Sequence, residues 1–223
     1  GAERSRDNPP PMLRYETIPV TPFQQNSSIV WCDETMEGAV IDPGGDLDLL
    51  RSEARRLGVT LKQILLTHAH IDHAGGTGTL AREDGLPIVG PHPEDQYWID
   101  GLPTQAQMFN FAPAEPFTPN RWLHDGDTVQ VGRCTLAVRH TPGHTPGHVV
   151  FHSTEAQRAF VGDVLFAGSI GRTDFPGGDY DTLIASITER LWPMGDDTVF
   201  IPGHGPESTF GRERRSNPFV GGT

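Results

Sequence analysis

The stretch Thr67-His68-Ala69-His70-Ile71-Asp72-His73-Ala74-Gly75-Gly76 follows directly on the apolar run Ile64-Leu65-Leu66. Four side chains that can ligate a metal ion fall within six consecutive residues, 68–73. Side chains at positions i and i+2 of an extended backbone point the same way, so His68 and His70 can hold one ion together. The end of a buried strand is therefore predicted to deliver two histidines to a metal.

The second half of the stretch can serve a second ion. Asp72 and His73 come as the chain turns toward a helix, and Gly75 and Gly76 allow a sharp turn and a close approach of the backbone. The alternative is a polar surface loop with coincidental histidines. The whole chain of 223 residues has only ten histidines, so chance is a poor explanation of this density, and the stretch predicts a site for two metal ions.

Three further apolar runs that read as strands end abruptly in histidine or aspartate. Ligands delivered from the same rim of packed strands converge on one place, which is how rigid metal sites are built. Each ending is weak evidence alone, but together with the first stretch they form a set. The runs are Leu136-Ala137-Val138 before the segment His140-Thr-Pro-Gly-His144-Thr-Pro-Gly-His148, Phe160-Val161-Gly162 before Asp163, and Val199-Phe200-Ile201-Pro202-Gly203 before His204.

The later histidines fall into different classes. His144 sits between two Thr-Pro-Gly turns and is the predicted ligand of its segment. His140 and His148 lie four residues to either side and are interpreted as supporting partners or strand residues. The histidines outside any motif are interpreted as surface or packing residues; they are His92, His124 and His152.

The order of elements predicts the fold class. Strand-like runs come first, at 15–20, 27–32 and 39–41, and alternating strands and helices follow. Strand hairpins that give way to strand–helix units indicate an α/β protein in which two sheets pack together with helices outside, a four-layer sandwich. Further helices are predicted at 47–57, 76–84, 182–191 and 212–215, strands at 64–66, 128–131, 135–140, 149–152, 159–161 and 199–201, and loops with short helical pieces at 91–119.

Composition excludes some classes of partner. The formal net charge is −12 and the pI is near 5.1, so nucleic acid is not an expected partner. No apolar run approaches the roughly 18 residues that a membrane helix needs, so no membrane partner is expected. Residues 1–11 are interpreted as a cloning remnant or a disordered arm, and residues 12–223 as a single domain.

The two cysteines, Cys32 and Cys134, lie in apolar strand-like runs. Buried reduced thiols are the usual state of such residues. No disulfide framework is indicated, so a cytoplasmic location is expected.

The ligand pattern resembles the metallo-β-lactamase superfamily, from about Ile18 to Phe219. The resemblance implies the αβ/βα sandwich, with the site at one rim of the two sheets. It assigns His68, His70 and His144 to the first metal, Asp72, His73 and His204 to the second, and Asp163 to both. The carboxylates of Asp72 and Asp163 are the expected catalytic residues. An aspartate at position 163 argues against a β-lactamase, whose pattern commonly has Cys or Ser near that point.

Within the superfamily, the sequence is most similar to the short bacterial form of glyoxalase II. The similarity lies in five segments: 141–148, Gly162-Asp163-Val-Leu-Phe166, Gly171-Arg-Thr-Asp-Phe175, Pro202-Gly-His204-Gly-Pro206 and Asn217-Pro218-Phe219. The resemblance implies hydrolysis of the thioester S-D-lactoylglutathione to D-lactate and glutathione. A water shared by two cations loses a proton near neutral pH and can attack the thioester carbonyl. Zinc is the expected metal, with iron or manganese as alternatives, since the ligands include no thiolate.

The sequence gives fewer indications of the residues that bind the substrate than of those that bind the metals. Arg172 matches a basic residue that binds glutathione in longer glyoxalases, and no counterpart of their basic C-terminal extension is expected after Phe219. Arg214 and Arg215 are candidates to replace it, with solvated surface arginines as the alternative. Two rival enzymes remain open, a mononuclear iron persulfide dioxygenase and a related hydrolase such as a lactonase. A non-catalytic binding protein is disfavoured, because all seven expected ligands are present.

Overall fold

The computed structural model describes residues 9–222. Most of the expected N-terminal arm, residues 1–8, therefore lies outside the described residues. None of the described helices is long and apolar enough to cross a membrane.

The first sheet has five strands in the order β1-β2-β3-β4-β5. The first three pair antiparallel, and β3–β4 and β4–β5 pair parallel. Parallel neighbours need a crossover connection, and helices α1 (Leu47–Leu57) and α3 (Thr77–Asp84) lie in these two connections. The strands are β1 (Leu13–Val20), β2 (Gln25–Cys32), β3 (Glu37–Ile41), β4 (Thr60–Leu65) and β5 (Ile88–Val89).

The second sheet has six strands in the order β13-β12-β9-β8-β7-β6. Its pairs are antiparallel except β9–β12, which is parallel. A separate two-stranded ribbon lies in the β9–β12 connection and consists of β10 (Leu165–Phe166) and β11 (Ser169–Ile170). The six strands are β6 (Thr128–Val131), β7 (Cys134–His140), β8 (Val149–Ser153), β9 (Arg158–Gly162), β12 (Val199–Pro202) and β13 (Ser208–Thr209).

The remaining helices are short. Helix α2 carries part of the histidine-rich stretch, and α4 and α5 confirm the short helical pieces expected between 91 and 119. The helix predicted at 182–191 is α6 only as far as Ser186 and continues as a π-helix over Ile187–Leu191. The elements are α2 (Ile71–Ala74), α4 (Gln96–Asp100), α5 (Leu102–Met108), α6 (Tyr180–Ser186) and α7 (Phe210–Ser216), with 3₁₀ turns at Pro93–Asp95 and Trp192–Met194.

Three buried apolar clusters separate four layers. The central cluster joins the facing sides of the two sheets, with Ile41 and Leu65 from one and Val138 and Phe151 from the other. A second cluster packs α1, α3 and α5 on the outside of the first sheet. A third packs α6 and α7 on the outside of the second. The expected α/β four-layer αβ/βα sandwich is thus confirmed.

Candidate metal centre

Four strand ends meet at one rim of the sandwich. The segments after β4, β7, β9 and β12 carry His68, His144, Asp163 and His204 respectively. The three histidine Nε2 atoms lie 3.5–3.7 Å from Asp163 Oδ2. The rule that apolar strands deliver their terminal polar residues to one place therefore holds here, and Asp163 is at the centre.

The predicted site residues form two adjoining groups. The ligand atoms of His68, His70 and His144 all lie within 4.8 Å of one another. The same limit joins the ligand atoms of a second group, which consists of Asp72, His73, Asp163 and His204. These two groups contain the residues that the family resemblance assigned to two ions, and Asp163 Oδ2 also lies within 3.7 Å of His68 and His144 in the first group.

Several atoms at this centre are buried without a hydrogen bond among the described residues. They include the Nε2 atoms of His68, His70 and His144 and the Oδ1 atom of Asp163. Leaving one such atom unsatisfied typically costs about 1–3 kcal/mol. Four of them converging on one place fit a cluster of bound cations, and the imidazole and carboxylate donors suit zinc, iron or manganese.

Hydrogen bonds behind the imidazole rings fix which nitrogen faces the centre. His73 Nδ1 donates to Asp42 Oδ2 at 2.8 Å, and His144 Nδ1 donates to the Arg172 carbonyl at 2.8 Å. Thr67 Oγ1 donates its own hydrogen to Asp42, so at 2.9 Å it accepts from His68 Nδ1. With the proton on Nδ1, each Nε2 presents a lone pair to the centre.

Asp42 is a functional residue that the sequence analysis missed. It is buried at the end of β3, and its carboxylate accepts hydrogen bonds from the Thr67 amide at 2.8 Å, the Thr67 hydroxyl at 2.6 Å and His73 Nδ1. The signal was available, since Asp42 ends the apolar run 39–41 in the same way that Asp163 ends its own.

Asp95 joins the two histidine loops and was also missed. Its buried carboxylate accepts hydrogen bonds from the amides of Ala69 and Gly147 and from the Thr145 hydroxyl. Burial raises the pKa of Asp95 to about 6, although these hydrogen bonds oppose the shift. The same carboxylate therefore holds the backbone between His68 and His70 and the turn that follows His144. Nothing in the local sequence around Asp95 announces this role.

Gln105 in α5 supports the first loop from the other side. Its side-chain oxygen accepts from the Ile71 amide at 2.9 Å, and its amide group donates to the carbonyl of Trp98. This buried side chain connects helices α4 and α5 to the start of α2. The position of His70 and Asp72 thus depends on helices that lie far away in sequence.

The electrostatic field at the centre favours cations. Burial lowers the pKa of His70 to about 3 and that of His68 well below its usual value, so both rings stay neutral and can ligate. Burial alone would also lower the pKa of His73, but the Asp163 and Asp72 carboxylates outweigh it and raise that pKa well above its usual value. A field that draws a proton to this position also draws a divalent ion.

The other histidines occupy different roles. His148 Nε2 accepts from the Asp163 amide at 3.1 Å, and its ring stacks on His68, in agreement with its interpretation as a supporting residue. His140 Nε2 donates to the Pro146 carbonyl. His92 lies against His140 with ring centroids 3.9 Å apart and planes at 4°. Lone pairs in parallel ring planes do not converge, so this pair is not arranged to share an ion.

A cavity of about 1030 Å³ opens onto the metal centre. His70, Asp72, His144, Asp163 and His204 line it together with many aromatic and aliphatic side chains. Arg172, the predicted glutathione contact, lines it, whereas Arg214 and Arg215 are not among its lining residues. The Arg172 guanidinium donates two hydrogen bonds of 2.7 Å to Asp174 and stacks on the Phe175 ring at 3.9 Å.

Comparison with known proteins agrees with this centre. Residues 20–204 match the model of the metallo-beta-lactamase superfamily. The chain is 46% identical to hydroxyacylglutathione hydrolase GloC of Haemophilus influenzae, over 93% of this chain and 98% of that protein. It is similar to the crystal structure of TTHA1623 in a di-iron-bound form, with a TM-score of 0.83, 38% identity and coverage of 92% and 99%.

The crystal structure of BLEG-1 B3 metallo-beta-lactamase is also similar, with a TM-score of 0.85 and 36% identity, over 94% of this chain and all of that one. Fold, ligand arrangement and sequence similarity therefore agree: the chain is a hydrolase that belongs to the metallo-beta-lactamase superfamily.

Proposed function

We propose that this protein hydrolyses S-D-lactoylglutathione to D-lactate and glutathione, using two divalent metal ions. The observation that carries the proposal is the convergence of seven ligand side chains on one centre, with buried nitrogen and oxygen atoms left for cations. The 46% identity to a hydroxyacylglutathione hydrolase supports the choice of a glutathione thioester. Zinc is the first candidate metal, and iron and manganese are the alternatives.

Two neighbouring sets of residues would hold the ions. Asp163 would contribute to both, and when bound the ions would acidify a water and polarise the substrate carbonyl. The first set is His68, His70 and His144; the second is Asp72, His73 and His204.

The protein's own groups then prepare the reaction. Asp72 and Asp163 are the expected catalytic carboxylates. Burial would raise their pKa values, but in the metal-free protein the attraction to His73 outweighs it and lowers them, and bound cations would keep both groups ionised in its place. The two carboxylates orient the attacking water; its oxygen adds to the thioester carbon while one of its protons passes to one of these carboxylates. The C–S bond then breaks, and the electron pair leaves with sulfur. A thiolate is a good leaving group because the pKa of a free thiol is only about 8.5.

A mononuclear iron persulfide dioxygenase is the rival reading, since residues 171–175 resemble that class. It would need only one ion, whereas the second group of ligands is as complete as the first. Both thiols, Cys32 and Cys134, are free and buried, and we infer a reducing cytoplasmic location for either activity.

The test measures metal content and two activities on one preparation. We expect two metal ions per chain, release of thiol from S-D-lactoylglutathione, and no oxygen uptake with glutathione persulfide. A lactone and a β-lactam are assayed in parallel as alternative substrates, because related hydrolases act on other carbonyl compounds. One iron per chain with oxygen uptake and no thiol release would overturn the proposal.

A further inference from the structure

One side of the cavity is an exposed apolar wall, formed by Phe23, Tyr97, Met108 and Phe109. These side chains are 44%, 62%, 72% and 39% exposed. They account for four of the seven large apolar side chains that are exposed in the described part of the chain. A contiguous exposed apolar surface in a protein usually marks a binding site, and this one adjoins the metal centre.

The wall is held in place by packing. Phe23, from the turn between β1 and β2, makes edge-to-face contacts with Phe109 and Phe111, at 6.0 Å and 4.9 Å between ring centroids. Tyr97 and Met108 lie in α4 and α5, which Gln105 ties to the histidine loop. The wall is therefore a preformed surface with a fixed position relative to the metal ligands.

Further apolar side chains line the same cavity. Phe166 and Ile170 from the β10–β11 ribbon face it. Trp98 and Phe175 pack edge-on against His70, with ring centroids 4.5 Å and 5.6 Å away. A substrate group that enters the cavity therefore meets apolar side chains close to the metal centre, at His70.

Charged partners for glutathione are scarce in this cavity. Among the described lining residues, Arg172 has the only permanent positive charge, and its guanidinium is already paired with Asp174. Asp100 contributes a negative charge. Glutathione carries two carboxylates, and a carboxylate moved from water to an apolar surface without a partner loses several kcal/mol of hydration.

These observations determine how a glutathione thioester can lie in the site. The charged peptide must extend toward solvent, so the acyl group lies against the wall. A lactoyl group has three carbons and a hydroxyl, far less than a cavity of about 1030 Å³ can accept. We propose that the preferred substrates are thioesters with an apolar acyl chain that packs on Phe23, Tyr97, Met108 and Phe109. The reaction class rests on the proposed function; the acyl preference rests on the wall.

Binding tests the preference without turnover. S-hexylglutathione and S-methylglutathione are thioethers that cannot be hydrolysed and differ only in the chain offered to the wall. Each methylene buried on a protein surface strengthens binding by about two- to fourfold. We expect S-hexylglutathione to bind the purified protein at least about tenfold more tightly than S-methylglutathione by calorimetry.

Two double variants locate the effect. Tyr97→Ser with Met108→Ser removes the most exposed part of the wall, and Leu49→Ser with Phe219→Ser is the control, since those side chains are similarly exposed but do not line the cavity. The wall variant should bind both thioethers equally weakly and should raise KM for S-hexanoylglutathione by about tenfold with kcat unchanged. The control should behave as wild type.

The outcomes separate the two proposals. The protein could hydrolyse S-D-lactoylglutathione while neither binding nor KM depends on the length of the alkyl or acyl chain. That result would overturn the acyl preference but support the proposed thioester hydrolysis. Tighter binding of S-hexylglutathione that the wall variant loses, without hydrolysis of any thioester, would support the wall and overturn the proposed reaction. Loss of the preference for S-hexylglutathione in the control variant, to the same extent as in the wall variant, would also overturn the assignment to this wall.

Discussion

The Asp42 carboxylate lies 2.8 Å from His73 Nδ1 and accepts two further hydrogen bonds from the amide and hydroxyl of Thr67. One side chain at the end of β3 therefore orients His73 directly and His68 through the Thr67 hydroxyl. Asp42 has a left-handed backbone conformation, with φ of 54°, which aspartate and asparagine tolerate better than most residues. The centre thus depends on a carboxylate that is not in either group of predicted ligands.

Asp42→Asn tests this relationship. The amide group would offer a hydrogen to His73 Nδ1 and move the ring proton to Nε2, where the second ion would bind. We expect the affinity for that ion to fall by about 10- to 100-fold, the usual effect of losing such a supporting contact. Metal titration followed by thiol-release assays measures it. Asp46→Asn is the matched control, because Asp46 is also left-handed, with φ of 50°. Unchanged metal affinity in Asp42→Asn would contradict the orienting role.

The fold could be predicted wherever a local pattern carried the information. Helix α1 matches its predicted bounds because Leu50 and Ala54 face the core and Gly58 adopts the left-handed conformation that ends the helix. The strands β5, β10, β11 and β13 were not predicted. Each has two residues, too few to show a period, and each exists through pairing with a neighbour rather than through its own sequence.

The residues of the candidate site could likewise be predicted only where a local sequence pattern marks them. The seven predicted ligands follow strand ends and short motifs, so their residue types and spacing can be recognised in the sequence. Asp95 and Gln105 could not be found in this way, because their partners lie far along the chain; Asp95 and Gly147 are 52 residues apart. Only the packing of α4 and α5 against the first sheet brings these side chains to the histidine loops.

Asp95→Ala should show how much the two loops depend on their shared acceptor. The change leaves the amides of Ala69 and Gly147 without their acceptor in a buried place. At about 1–3 kcal/mol for each unsatisfied group, the free energy of unfolding should fall by about 3 kcal/mol or more, and metal affinity should fall with it. Urea denaturation and metal titration measure these effects. Glu94→Gln is the control, an exposed neighbour, and a loss of stability no larger than in this control would contradict the role of Asp95.

Glu213 in α7 should make stability depend on pH. Its buried carboxylate accepts from Ser208, the Gly168 amide and Asn217. Burial opposes ionisation, but these hydrogen bonds outweigh it and lower the pKa below 4.5. Because the folded pKa is below the unfolded one, this contribution is present above about pH 4.5 and is lost as the pH falls through the folded pKa.

Glu213→Gln should therefore destabilise the protein by about 1–2 kcal/mol at pH 7, with a smaller difference from wild type at pH 4. Denaturation of metal-free protein at both pH values avoids a contribution from metal loss, and Glu115→Gln is the exposed control. A difference that is equal at pH 7 and pH 4 would show that the charge of Glu213 is not responsible.

Asp163→Ala tests the proposed bridge between the two ions. Its Oδ2 atom lies 3.2–3.7 Å from the Nε2 atoms of histidines in both groups. Gly203 lets the backbone pass beside it, where a Cβ would overlap Asp163 Oδ1. We expect metal content to fall and thiol release to drop by at least about 100-fold, since each ion contributes several kcal/mol of charge stabilisation. Circular dichroism should remain that of wild type. Near-normal turnover with two bound ions would refute the bridge.

His204→Ala separates a two-metal hydrolase from a mononuclear dioxygenase. His204 Nε2 lies 3.0 Å from Asp72 Oδ2. His204 belongs to the second group of ligands and not to the first. Without it, Asp72 and His73 would hold the second ion together with Asp163 alone. We expect metal content to fall toward one ion per chain, and thiol release to fall by about 100-fold or more with it. His152→Ala, which changes a half-buried histidine outside the centre, should alter neither the metal content nor thiol release.

In a mononuclear iron enzyme that uses the first group, His204 lies outside the coordination sphere, and its loss would leave the metal content unchanged. The decisive measurement is metal stoichiometry in wild type and both variants, with thiol release and oxygen uptake on the same samples. One tightly bound iron that survives His204→Ala, with oxygen uptake and no thiol release, would replace the hydrolase with the dioxygenase.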